Sequence, residues 1–142
     1  MTDAKMTRVG SSECVMHGPR KLFVCGCQPL EQEAVCEMLE HEGVIGVDVV
    51  FCLPSDAETK MSELFALKHK SRIGDESRMP RATIMGGITE KELHRIMGAW
   101  RELGLPSQLW AVLTPTSEAW TLRQLITELQ REKREMDRRP RQ

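Results

Sequence analysis

Residues 81–134 read RATIMGG, ITEKELHRIMGAWREL, GLPSQLWAVLTPT and SEAWTLRQLITELQREKR in succession. These four pieces predict a strand, a helix, a second strand and a long second helix. Thr89 precedes the first helix and Glu92 follows three residues later, which is the spacing of a capping box. Gly104 ends that helix, where a left-handed backbone is usually needed. The apolar run after it is typical of a strand with both faces covered, as in a parallel sheet.

The first half of the chain repeats this pattern more loosely. KLFVCG at 21–26 predicts a strand, a helix follows from Pro29, and residues 44–53 are a second apolar run. Ser55 and Glu58 repeat the capping-box spacing before a second helix. A shift of 61 positions places several landmarks of the two halves on each other, namely Gly26 on Gly87, Glu31 on Glu92, Gly43 on Gly104, Pro54 on Pro115 and Leu64 on Leu125.

These landmarks fall at the ends of predicted helices and strands, where backbone geometry restricts the choice of residue. We therefore predict an α/β fold in which a duplicated β-α-β-α unit forms a mainly parallel four-stranded sheet flanked by helices. The predicted parts are a flexible N-terminal arm at 1–20, a first half at 21–67, a linker at 68–81, a second half at 82–136 and a frayed tail at 137–142.

The second half also resembles a known family. The resemblance rests on a strand that ends in glycine and on a later pattern of alanine, valine, threonine, tryptophan, leucine and glutamate, here Met85-Gly86-Gly87, Ala111-Val112-Leu113-Thr114, Trp120, Leu122, Leu125 and Glu128. It is similar to a family of small bacterial proteins, of Firmicutes type, known only as a domain of unknown function. The resemblance covers about residues 80–136. It implies the fold and a bacterial origin, and it carries over no activity and no catalytic residue.

The composition argues against several classes of partner and location. The net charge is −1, tyrosine is absent and aromatic residues make up 4% of the chain, so we expect no nucleic-acid partner. No apolar run approaches the ~20 residues of a membrane-spanning helix, and the N-terminus lacks the apolar core of a signal peptide. We therefore expect a cytoplasmic protein with no membrane contact. Its five cysteines, an odd number, are expected to be thiols there.

Cysteine and histidine side chains near the first strand form a candidate zinc site. Cys14, His17, Cys25 and Cys27 could supply the four ligands that zinc prefers. After the shift of 61 positions, however, Cys27 falls on an isoleucine and Cys25 on a glycine, and a free cysteine often serves as a small buried apolar residue. We therefore favour a packing role. The alternative is a redox or zinc-binding sensor that uses these four side chains.

The predicted strand ends form a second candidate site. Ligands of parallel sheets bind beyond the carboxyl ends of the strands, and the free N–H groups of a helix start favour an anion. The residues at these ends that could bind a small anionic metabolite, as a carrier or an enzyme, are Gly86, Gly87, Thr114, Thr116 and Ser117. Helix caps and turns account for the same residues, and neither common glycine-rich phosphate motif is present.

No serine or cysteine lies in a recognised nucleophile motif, so we predict no catalytic residue and favour a protein that is not an enzyme. No cofactor is predicted apart from the candidate zinc ion. Trp120 lies off the apolar stripe of its helix, which marks it as a candidate contact with another subunit. The preferred hypothesis is a small cytoplasmic α/β module that acts by protein–protein contact or self-association.

Overall fold

The computed structural model describes residues 14–75 and 78–138, which form a four-stranded sheet with helices on both faces. In chain order the elements are β1 (Lys21–Cys25), α1 (Pro29–His41), β2 (Asp48–Phe51), a 3₁₀ helix (Pro54–Glu58), α2 (Met61–Leu64), β3 (Ala82–Gly86), α3 (Glu90–Glu102), β4 (Leu109–Val112), a 3₁₀ helix (Ser117–Ala119) and α4 (Leu122–Arg138). Residues 1–13 of the predicted arm at 1–20, and residues 139–142 of the predicted tail at 137–142, lie outside the described residues.

The strand order in the sheet is β2-β1-β3-β4. Strands β1 and β2 are parallel, as are β3 and β4, whereas the central pair β1 and β3 is antiparallel. The α/β class and the four-stranded sheet are therefore confirmed, but the prediction of a mainly parallel sheet is wrong because the sheet is mixed. The physical reason is the path of the linker, which ends beside the last residue of β1, so that Ala82 pairs with Cys25. From there β3 can only run back along β1, since a parallel strand would need a crossover to the other end of the sheet.

The two halves pack about an approximate two-fold axis. Strands β1 and β2 and helix α1 each begin and end 61 positions before β3, β4 and α3. In the antiparallel pair, Phe23 lies opposite Ile84, which follows it by 61 positions. The same spacing recurs at Lys60 and Thr121, which are 61 positions apart and form an isolated antiparallel bridge. The axis therefore passes between β1 and β3 and between the starts of α2 and α4.

Two apolar clusters fill the space on either side of the sheet. Helices α1 and α3 pack on one face, and α2 and α4 pack on the other. Successive side chains of each strand alternate between the two clusters, as the pleat of a strand requires. Three strands are almost fully buried, but all four residues of β4 are only partly buried. Within the described residues, no helix has the length and apolar character to cross a membrane.

Candidate functional site

The structure places the four predicted metal ligands at two separate locations. The backbone N–H of Gly87 donates to His17 O at 3.1 Å, so Cys14 and His17 lie beyond the last residue of β3. Cys25 instead lies opposite the first residue of β3, with Cys27 just beyond it. His17 contacts Glu118, with 2.7 Å between Nε2 and Oε1. Across residues 14–75 and 78–138, no three His, Cys, Asp or Glu side chains are grouped so as to hold a metal ion.

Two of the candidate metal ligands, Cys25 and Cys27, are buried thiols. A hydrogen bond with Cys52 and burial both raise the pKa of the Cys25 thiol well above its ordinary value. Burial raises the pKa of Cys27 to about 11. Because the thiolate is the nucleophile and the metal ligand, these two side chains are poorly suited to either role at neutral pH.

The two candidate glycines at the end of β3 are in close contact with the chain itself. Gly87 has a φ of +65°, and a Cβ atom there would lie 2.6 Å from Cα of Arg20. A Cβ atom on Gly86 would lie 2.8 Å from the ring of Phe65. The absence of a side chain at these positions therefore lets β3 approach Arg20 and Phe65.

The hydroxyl residues after β4 bond to one another. The backbone N–H of Thr114 donates to Ser117 Oγ at 3.0 Å, and that of Ser117 donates to Thr114 Oγ1 at 2.9 Å. Thr116 lies between them and is exposed. Thr114 and Ser117 thus cap the turn that leads to the 3₁₀ helix, as hydroxyl side chains commonly do.

A carboxylate of the protein itself lies at the start of helix α1 and at the start of helix α3. Both terminal nitrogens of the Arg20 guanidinium donate to the carboxylate of Glu92, Nη1 to Oε1 at 2.8 Å and Nη2 to Oε2 at 2.6 Å. This hydrogen-bonded pairing lowers the pKa of Glu92 to about 2. At the start of α1, Arg81 binds both oxygens of Glu31 at 3.0 and 2.9 Å. Each carboxylate occupies the position at a helix N-terminus that an anionic ligand would take.

Residues 68–75, which we call the linker cover, shield the outer edge of β2. The backbone N–H of Lys70 donates to Val49 O at 2.6 Å, and that of Phe51 donates to Ser71 O at 3.1 Å. The backbone groups of β2 that point away from β1 are therefore paired within the chain. Sequence reasoning identified this segment only as a linker, because an irregular segment has no apolar period.

Two buried polar side chains hold the linker cover in place. Gln32 is fully buried, donates to Asp75 O at 2.8 Å and accepts from the N–H of Gly74 at 2.7 Å. Asp56 is only 3% exposed and binds Arg72 through two hydrogen bonds of 2.9 and 2.8 Å. Neither role was predicted, since a single Gln or Asp in an otherwise regular pattern carries no signal of its partner.

Within residues 14–75 and 78–138, no segment covers the outer edge of β4 in this way. The N–H of Leu109 donates to Arg81 O, just before β3, and that of Leu113 donates to Met85 O. The backbone groups of Trp110 and Val112 therefore point away from β3. Trp110 and Val112 follow Val49 and Phe51 of β2 by 61 positions. In the described part of the chain, no segment pairs with this edge of β4.

An apolar groove of about 510 Å³ straddles the open edge, and we call it the β4 groove. Its lining includes side chains from both faces of the sheet, with two carboxylates on its α4 side: Leu93, Met97, Trp110, Val112, Trp120, Leu125, Leu129, Glu128 and Glu132. The predicted interface residue Trp120 is half-buried in its wall.

The positions 61 residues after the two side chains that hold the linker cover carry different residue types. Leu93 follows Gln32 by 61 positions, and Ser117 follows Asp56 by the same interval. Both line the β4 groove. The second half thus lacks the amide and the carboxylate that bind a covering segment in the first half, and it presents leucine and a short hydroxyl instead.

Sequence comparison finds a family model that matches the second half. Residues 81–136 match the family model of a domain of unknown function, DUF3783. The matched region contains β3, α3, β4 and most of α4, and it therefore includes the residues that line the β4 groove. No curated protein and no solved structure matches the chain. The DUF3783 match brings no activity with it.

Proposed function

We propose that this chain is an interaction module that binds an extended polypeptide segment along the open edge of β4, and that it does not act by catalysis. The observation that carries this proposal is the contrast between the two sheet edges. The outward groups of β2 are paired with the linker cover, whereas the same groups of β4 are unpaired within the described residues. An added strand would supply main-chain hydrogen bonds for affinity and side-chain contacts for specificity.

The lining of the β4 groove favours an apolar occupant. Leu93 and Ser117 stand where the first half uses Gln32 and Asp56 to bind polar groups of its own cover. Two indole rings, of Trp110 and Trp120, line the groove, and tryptophan is enriched at the energetically dominant positions of protein interfaces.

We also propose that the two halves are copies of one β-α-β-α unit. The shared interval of 61 positions and the approximate two-fold axis support this view. The first copy is covered by the linker, and the second copy is left with an open edge for a partner. We place the module in the cytoplasm, which its odd number of cysteines supports.

Peptides selected from a random library against the purified protein test this proposal. We expect selected peptides with alternating apolar residues that shift the amide resonances of Trp110 and Val112. The variant Val112→Pro removes an outward N–H without removing a bond to β3, so it should weaken peptide binding at least about tenfold while the protein stays folded.

The matched control is Ile45→Ala, because Ile45 is 80% exposed and lies beside β2, which forms the opposite edge of the sheet from β4. This variant should bind the selected peptides as well as the unaltered protein does. Peptides that bind the Val112→Pro variant with unchanged affinity, or that perturb other resonances only, would show that the β4 groove is not the binding site.

A further inference from the structure

The open edge of β4 has a backbone pattern that can pair with itself. We infer that the segment bound in the β4 groove is β4 of a second copy of this chain, paired antiparallel about a two-fold axis near Ala111. This inference rests on the proposed function, since it names the partner of the same groove. The resulting dimer would hold one continuous sheet of eight strands, because each copy contributes the four strands of its own sheet.

The hydrogen-bonding groups of the strand are self-complementary. Trp110 and Val112 both direct their N–H and C=O groups outward. With the axis at Ala111, Trp110 of one copy faces Val112 of the other, and each facing pair exchanges two hydrogen bonds. A two-fold interface uses the same surface on both subunits, as this pairing requires. The chain already contains this arrangement, since β1 and β3 pair antiparallel about Phe23 and Ile84.

The side chains of β4 have the apolar character that the groove favours. All four residues of the strand, Leu109 to Val112, are apolar and only partly buried in the single chain. In β2, by contrast, Val49, Val50 and Phe51 are at most 1% exposed, because the linker cover lies along that edge. A second copy of β4 would bury the corresponding area of this strand, which is the main source of affinity between apolar surfaces.

Charged groups at the two ends of the strand are complementary under the same axis. Glu128 lines the β4 groove together with Thr114, near the end of β4. Lys133 lies at the other end, where it lines a recess together with Leu109. Antiparallel pairing brings the start of one strand beside the end of the other, so Lys133 of each copy approaches Glu128 of its partner copy. Within its own helix, Lys133 pairs with Asp137 and Glu128 pairs with Arg131, and the contact between copies would add to these pairs. This complementarity favours a second copy over a peptide that lacks helix α4.

Sedimentation velocity over a range of protein concentrations tests the inference. We expect a reversible dimer, and Val112→Pro should raise its dissociation constant at least about tenfold. Lys133→Glu and Glu128→Lys should each raise it about threefold, because the pairs are exposed and occur twice per dimer. The double variant Glu128→Lys, Lys133→Glu should recover most of the loss, and Ile45→Lys should dimerise like the unaltered protein.

Two results would overturn the inference. One is a protein that stays monomeric at every concentration. If the selected peptides still bind at Trp110 and Val112 of that monomer, the proposed function stands with a different partner. If they do not bind there, the inference and the proposed function both fail. The other is a dimer that Val112→Pro leaves unchanged, because its interface would then lie elsewhere on the surface.

Discussion

Replacement of Gly87 by alanine should lower the free energy of unfolding by more than about 3 kcal/mol. The backbone of Gly87 has a φ of +65°, and the added Cβ would lie 2.6 Å from both Cα and N of Arg20. Backbone atoms cannot move aside as the end of a side chain can, so β3 and the segment before β1 would have to separate. Denaturant unfolding followed by circular dichroism measures the loss.

Gly43→Ala is the matched control for this substitution. Gly43 also has a positive φ, of +72°, but no atom lies within 4 Å of the position of its Cβ. Its replacement should lower the free energy of unfolding by only about 1 kcal/mol, which is the penalty of a left-handed backbone conformation alone. If both variants lose the same free energy of unfolding, Gly87 is not in close contact with Arg20, and Gly87 would again be a candidate ligand-binding residue.

Replacement of Asp56 by alanine should cost about 3 kcal/mol and should uncover the edge of β2. The carboxylate is almost fully buried, binds Arg72 through both oxygens and accepts the N–H of Leu53 at 2.9 Å. Its removal leaves the guanidinium of Arg72 without its anionic partner. We therefore expect the linker cover to detach and the amide of Phe51 to exchange faster with solvent.

Glu58→Ala provides the comparison, because Glu58 forms an ion pair with Arg123 in which its side chain is 70% exposed. An exposed pair contributes little, so this variant should lose less than about 0.5 kcal/mol and keep the slow exchange of Phe51. Unchanged exchange of Phe51 in the Asp56→Ala variant would show that the linker cover does not depend on this carboxylate.

The start and end of α3 could be predicted because they depend on neighbouring residues. The predicted capping box is present, with Thr89 Oγ1 accepting from the N–H of Glu92 at 3.0 Å. The predicted start of the next helix at Ser117 is wrong, since a 3₁₀ helix spans Ser117–Ala119 and α4 begins only at Leu122. The capping box predicted at Ser55 and Glu58 is wrong, since a 3₁₀ helix spans Pro54–Glu58 and Asp56 supplies the cap. Two neighbouring polar residues compete for such a position, and the distant Arg72 favours Asp56.

The direction of β3 and the difference between the sheet edges could not be predicted, because both depend on contacts between distant parts of the chain. The linker ends beside Cys25, and this position fixes β3 as antiparallel to β1. The edge of β2 is covered through Gln32 and Arg72, which contact residues 42 and 16 positions away. Of the candidate site residues, Thr114, Ser117 and Trp120 line the β4 groove. Trp120 lies before the start of α4, which is why it was offset from the predicted helix stripe.

Amide hydrogen exchange at Val112 and Phe51 tests the central claim, that a second copy of the chain pairs with the open edge of β4. These two residues occupy equivalent positions in the two edge strands, and the N–H of Phe51 bonds to Ser71 O within the chain. We predict that Phe51 is protected to the same degree at every protein concentration, whereas the protection of Val112 increases as the concentration rises. An exchange rate of Val112 that stays the same from dilute to concentrated solution would contradict the claim.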